Sequence, residues 1–365
     1  MDVAVVGGGV VGAACARAAA LRGLRAVVLE PGRLLGAASP ASAGMLAAQV
    51  ESADDAQLSL FVRARDRYVE LAPALEDSTG IAVGLWRAGV AALALDDIAA
   101  ARLRETAVRQ RTQGFVAEWL TADQMRARDP GVTPDCRGAF LSPHDGAVDP
   151  EALARALLAD AERLGVLVIP ERVERIRIAA TGVAGVSTAA RDVVARHVVL
   201  AAGVWSPMVP GPPRRVPVEP VRGQLVATPW PLGTPPAILY HDHCYVLARG
   251  AEAVLGSTME RVGFDARATA EGIAGIVQRT AAILPVLAGL PITRAWAGLR
   301  PVTPDGHPVV GPDPEVRGLW YATGHGRNGI LLAALTGDVI AEWVATGTPG
   351  VDVSSWRVDR FQTDG

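Results

Sequence analysis

Cysteine is scarce: Cys15, Cys136 and Cys244 stand far apart and are odd in number. That excludes a complete disulfide framework, offers no C-x-x-C pair for metal or redox chemistry, and makes a reducing compartment the simpler setting. Runs of basic residues are also missing. With a net charge of −3 and a pI near 6.1, the chain gives a nucleic-acid partner no electrostatic support. The long uncharged stretch 34–50 contains Pro40 and several Ser and Gly, so it reads as a loop and not as a membrane span. A first strand starting at residue 2 leaves no room for a signal peptide, and the helix after it is too Gly-rich and Arg-interrupted for a leader's apolar region. A cytoplasmic protein, away from membranes, is the expectation.

What is present begins with the stretch 3–30. Val3-Ala4-Val5-Val6 is a short apolar run of the kind that forms a buried parallel strand, and it leads into Gly7-Gly8-Gly9-Val10-Val11-Gly12. This spells G-x-G-x-x-G. An Ala-rich helix follows, with Arg17 and Arg22 its only charges and Gly23 placed to end it. A second apolar run, Ala26-Val27-Val28-Leu29, ends in Glu30. In this βαβ unit Gly7 makes the tight turn, Gly9 admits a pyrophosphate to the backbone, and Gly12 permits close helix–strand packing. The helix N-terminus offers unpaired N–H groups to the phosphates, while Glu30 can accept from ribose hydroxyls. A lone fingerprint would be weak; strand, helix and terminal acid in the right order make dinucleotide binding the expectation. FAD and NAD both place an ADP moiety there, so the fingerprint leaves the choice open.

At 365 residues, half of them apolar, the chain can bury a large core and is expected to form two domains. The stretch 32–45 reads as a long loop of small residues, suited to lying against a flat ligand. Helices are expected over 56–76, 96–113, 121–128 and 149–164, the last starting with Asp149 as N-cap and Pro150 in the first turn. A strand or hairpin is expected over 84–95, and strands over 166–169, 173–178, 182–188 and 196–203. From 217 to 257 short strands follow one another without helices, which points to an antiparallel sheet. A helix over 269–284, strands over 292–299 and 320–324, and a helix over 331–344 complete the reading. The predicted fold is α/β: a Rossmann-like dinucleotide-binding domain from 1–84, 146–214 and 304–365, with a discontinuous antiparallel-sheet α+β substrate domain from 85–145 and 215–303. Such interleaving favours a flavoprotein.

Several stretches then carry a resemblance. Val198 to Ser206, Thr303-Pro304-Asp305-Gly306 with Pro308 and Gly311, and Gly324 to Leu332 are similar to corresponding stretches of the FAD-dependent amine and amino-acid oxidases of the D-amino-acid oxidase superfamily. Ser42 to Leu46, His241 to Tyr245, Gly256 to Met259, Trp296 to Pro301 and Arg327 to Leu332 resemble, within it, glycine oxidase of the thiamine-pathway type. The resemblance covers essentially the whole chain. It implies FAD contacts at Val10, Val11, Glu30, Pro31, Ala38, Ser39, Ala43, Gly44, Met45 and Val173, at Ala202 and Gly203, and along His325, Gly326, Arg327, Asn328, Gly329, Ile330 and Leu331. It also implies substrate contacts from Arg300, Arg327 and Tyr245, with Met45 and Met259 nearby. Pro31 stands where many relatives carry a small polar or basic residue. No cysteine occurs over 295–302, where some relatives attach FAD covalently, so noncovalent FAD is expected.

The chemistry implied is removal of a hydride from an α-carbon while the carboxylate is held. Arg300 suits the holding because a guanidinium makes two charge-assisted hydrogen bonds to a carboxylate; a structural ion pair is its alternative role. Arg327 either adds to the positive field or serves through the backbone of the loop that opens the last helix, and the backbone role is preferred. Tyr245 is a carboxylate donor or an ordinary strand tyrosine. His241 and His243, at i and i+2, are a conceivable metal pair lacking a third ligand, so no metal is assigned. No general base is needed if the substrate amine binds neutral. The expected activity is oxidative deamination of a small amino acid or amine (glycine, sarcosine or a small D-amino acid) with oxygen as acceptor. The alternative is a secondary-amine or D-amino-acid dehydrogenase using another acceptor. A tRNA-modifying flavoprotein is disfavoured by the charge balance, a non-catalytic dinucleotide module by the two arginines, and the oligomeric state is left open.

Overall fold

The computed structural model describes residues 1–32, 37–231 and 238–361; positions 33–36 of the expected loop 32–45 lie outside them. Two sheets carry the architecture. The first runs Val309–Pro312, Leu319–Thr323, His197–Leu200, Val3–Val6, Ala26–Leu29, Leu167–Ile169. All neighbours are parallel except the edge strand Val309–Pro312, which is antiparallel to Leu319–Thr323. Val3–Val6 is buried on both faces: Val3 and Val5 join one apolar cluster, Ala4 and Val6 another. That is why it reads as an unbroken apolar run and not as an alternation.

On one face of this sheet lies the helix Val10–Leu21, whose alanines are mostly buried. It packs in one cluster with the last helix, Gly329–Thr346. By length and composition Gly329–Thr346 could cross a membrane, but eleven of its eighteen residues are buried in the protein, so it is read as a core helix. Gly12 is where the sequence and the packing meet most tightly. A Cβ there would fall 2.0 Å from the Gly7 carbonyl oxygen and 3.3 Å from Val5 Cγ1, so only glycine lets the helix close onto the turn.

The second sheet runs Arg294–Val302, Glu219–Pro229, Glu252–Gly256, Cys244–Arg249, Ile238–His241, Val90–Ala94, Gly138–Ser142, Glu118–Thr121. Its neighbours are antiparallel, as expected, with one departure: Ile238–His241 and Val90–Ala94 run parallel. The expected strand or hairpin over 84–95 is the single strand Val90–Ala94, paired with Gly138–Ser142 on its other side. Both partners are distant in sequence, so no local turn signal marked the pairing. A small third sheet joins Val173–Ala179, Gly182–Thr188 and Asp192–Val194.

Helix ends follow their chemistry. The Asp149 carboxylate accepts from the N–H groups of Glu151 and Ala152, both at 2.9 Å. Thr121 and Gln124 form a reciprocal capping box ahead of Ala122–Arg128. The helix expected over 56–76 is two, Asp55–Asp66 and Tyr68–Thr79. Both bury their apolar face in the same cluster, so the periodicity carries through the break at Arg67, whose backbone stays in the right-handed helical region. All three cysteines are buried free thiols.

Candidate active site

A cavity of about 540 Å³ runs between the two sheets, within the usual size of ligand sites. At one end it is walled by the glycine turn, Glu30 and the N-terminus of Val10–Leu21. The Gly8 N–H donates to Glu30 Oε2 at 2.6 Å, and the Val10 N–H donates to Ser39 Oγ at 3.1 Å. Burial lifts the Glu30 carboxyl above its ordinary range, opposed by the N–H groups of Gly8 and Gly32. The middle of the cavity is lined by the Ala38–Ala41 turn, Ala43 to Met45, and Ala202 and Gly203 at the end of His197–Leu200. Two side chains of the second sheet hold that lining. Trp296 Nε1 donates to the Ala41 carbonyl at 3.1 Å, and the Arg249 guanidinium donates to the Ala43 carbonyl.

The far end contains Arg300, Tyr245, Ser257, Arg327, Glu51 and Gly223. Arg300 projects from Arg294–Val302 across the neighbouring strand, where a Cβ on Gly223 would lie 2.0 Å from its Nη1. A side chain at 223 would displace the guanidinium. Arg300 donates to Ser257 Oγ at 2.9 Å and to the Thr258 carbonyl at 3.0 Å. Among the described residues no carboxylate lies within 4.0 Å of it, whereas Arg327 donates to Glu51 Oε1 at 2.7 Å and meets His243 Nδ1 at 3.0 Å. Burial lowers the Arg300 pKa from its ordinary value. Burial also works against the Arg327 charge, yet Glu51 holds it above the ordinary range. Tyr245 is buried and its phenol is pushed up by burial, so it stays a neutral hydroxyl that can donate.

The last loop closes the remaining side. His325 Nε2 lies 3.0 Å from Thr336 Oγ1, and burial pushes its imidazole down to about 3, leaving a neutral ring. The Gly326 N–H donates to the Pro301 carbonyl at 2.8 Å, tying this loop to the strand that carries Arg300. Gly329 and Ile330, which open the last helix, face the cavity, so unpaired N–H groups of its first turn stand at the site.

The sequence-predicted cofactor residues Gly7, Gly9, Val10, Val11, Glu30, Pro31, Ala38, Ser39, Ala43, Gly44, Met45, Val173, Ala202, Gly203 and 325–330 all line this cavity, as do Arg300, Arg327 and Tyr245. Three residues do not. Gly12 serves the packing behind the turn, Leu331 is buried in the core, and Met259 is half exposed beyond Arg300, its Sδ 3.4 Å from Nη1. The histidine pair separates for a local reason: the strand ends at His241, and Asp242 and His243 take positive φ in the turn. His241 Nδ1 meets the Leu93 carbonyl, while His243 faces Tyr240 and Arg327. No cluster of three or more His, Cys, Asp or Glu suited to a metal occurs among the described residues. Glu51, Gly223 and Ser257 also line the site, and the sequence alone does not mark them as site residues. Gly223 had only its place in a strand as a signal, and Glu51 had none.

The chain matches the family described as "DAO: FAD dependent oxidoreductase" over residues 2–343. It is 34% identical to glycine oxidase of Geobacillus kaustophilus, covering 98% of this chain and 97% of that one. The crystal structure of a glycine oxidase from Geobacillus kaustophilus superposes with a TM-score of 0.93 at 32% identity, over 99% of both chains. It is also 35% identical over 99% of its length to the bifunctional protein ThiO/ThiG of Trichormus variabilis, and spans 55% of that relative. The residues present fit an FAD. The glycine turn and the first helix N-terminus suit a pyrophosphate, Glu30 a ribose and the small-residue middle a flat ring, and among the described residues no cysteine lines the cavity.

Proposed function

Because the chain belongs to the DAO family of FAD-dependent oxidoreductases, we propose that it oxidises a small amino acid or amine, with glycine-like substrates first and oxygen as the acceptor. The observation that carries this reading is Arg300, a cation at the cavity's far end with no carboxylate partner within 4.0 Å among the described residues. A half-buried guanidinium without an anion calls for one from the ligand, and its planar fork fits a carboxylate. Bound FAD supplies the two-electron acceptor, and its reoxidation by oxygen gives hydrogen peroxide.

The protein's part is orientation. Arg300 holds the substrate carboxylate, and the Tyr245 hydroxyl stands on the same wall to donate a further hydrogen bond. Gly223 leaves room for the guanidinium to lie flat. With the substrate amine neutral, its lone pair assists departure of the α-hydrogen as hydride, and no side chain has to remove that hydrogen as a proton. The imine product is then hydrolysed by water.

The test is to purify the holoenzyme and add glycine, sarcosine, D-alanine or D-proline without oxygen, following the visible flavin absorbance. Bleaching by one of them, with rapid recolouring on admission of air, is expected. Bleaching with slow recolouring replaces the oxidase by a dehydrogenase that passes electrons to a carrier. No bleaching by any of the four overturns the small-substrate reading.

A further inference from the structure

The two guanidiniums at the far end of the cavity are in opposite states. Among the described residues Arg300 is bound by neutral acceptors, Ser257 Oγ, the Thr258 carbonyl and Met259 Sδ. Arg327 is held by Glu51 at 2.7 Å, with side-chain exposures of 20% and 11%, and by His243 Nδ1 at 3.0 Å. Both Arg327 and Glu51 line the same cavity as Arg300. Glu51 therefore occupies the place that a second ligand carboxylate would need.

We infer that Glu51 is a specificity-determining residue: by masking Arg327 it leaves Arg300 as the single carboxylate receptor and excludes amines that carry a second acid group. This rests on the proposed role of Arg300. The physical basis is that a diacid would have to displace Glu51 from a mostly desolvated ion pair and leave two anions together beside one guanidinium. A monocarboxylate meets no such obstacle. With Glu51 neutral, Arg327 becomes a second receptor in the same chamber, and a ligand spanning both cations gains over one reaching Arg300 alone. Contacts with His243 Nδ1 and the Tyr240 hydroxyl add to the hold on Arg327.

The holoenzyme reads this directly through perturbation of its flavin spectrum by redox-inert acids. Acetate is compared with malonate, succinate and glutarate in the wild type, in Glu51→Gln and in Glu51→Gln/Arg327→Gln. Expected is a rise of at least tenfold in the ratio of the acetate dissociation constant to that of the best diacid in Glu51→Gln, returning to within threefold of wild type in the double variant. Glu51→Ala, which leaves no amide oxygen to keep hold of Arg327, should show the rise at least as strongly. A ratio that stays within threefold of wild type in both single variants overturns the inference. So does a rise that persists without Arg327, which would mark a general field effect. If acetate does not bind the wild type in an Arg300-dependent way, the proposed function itself is at fault and the inference falls with it.

Discussion

Arg300 and Arg327 illustrate how little a residue's identity says about its work. Both are guanidiniums on the cavity wall, yet among the described residues one has no carboxylate within 4.0 Å and the other is matched with Glu51. Truncating one partner of a desolvated charge pair costs about 2–5 kcal/mol, so Arg300→Ala should weaken acetate binding by roughly 30-fold or more. Arg300→Lys should restore only part of it, because a point charge cannot reproduce the fork between Ser257 and the ligand. Titration of the flavin spectrum with acetate measures both; unchanged affinity in Arg300→Ala removes the residue from the site. The sequence singled out Arg300 and Tyr245 through their resemblance to a family. It did not reveal that Arg327 is neutralised, because Glu51 lies 276 positions away and no periodicity links them.

At the scale of elements, the signals that worked were local ones. Asp149, Thr121 and Thr269 cap their helices where hydrogen-bonding side chains precede apolar periodicity. The first turn and helix followed from glycine spacing, and there the packing tolerates no side chain. Gly12→Ala would set a Cβ against the backbone of Gly7, which cannot retreat without opening the turn. A loss of about 1–3 kcal/mol is expected from such overpacking, together with poor flavin retention. Flavin content of the purified variant and its urea midpoint measure this, and a full complement of flavin would show that the helix can shift without cost. The elements that misled were those whose partners are remote. The strand Val90–Ala94 takes its direction from Ile238–His241, and the break at Arg67 leaves both helices facing one core.

At the scale of the whole molecule, the site depends on a buried polar network joining distant segments. Arg65 Nη1 donates to Asp145 Oδ1 and to Gln49 Oε1, each at 2.9 Å, and the Gln49 N–H donates to Asp145 Oδ2 at 3.0 Å. Arg65 and Asp145 are 3% and 0% exposed. Gln49 precedes Glu51 by two residues, so this network fixes the turn from which Glu51 reaches Arg327. Removing one member of a buried pair typically costs about 3–5 kcal/mol, whereas apolar replacement of both is often nearly neutral. Asp145→Leu is expected to lower stability by about 3 kcal/mol, since Asp66 still meets Arg65. The double variant Arg65→Leu/Asp145→Leu should recover most of that loss. Urea unfolding followed by fluorescence checks it, and a double variant as unstable as the single one would refute the pairing.

By itself the sequence determined the βαβ turn at 7–12, the helix caps and the two alternating kinds of sheet, because each is set by neighbours within a few residues: glycine where a Cβ cannot fit, a carboxylate or hydroxyl where N–H groups are free, apolar runs where both faces are covered. Only the tertiary structure decided which arginine is unpaired, that Met259 stands outside the cavity, and that Gly223 makes room for Arg300. Those facts depend on strand register and on contacts between segments far apart along the chain. A one-residue slip between Glu219–Pro229 and Arg294–Val302 would turn Arg300 to the other face, and nothing local to either strand records which register holds.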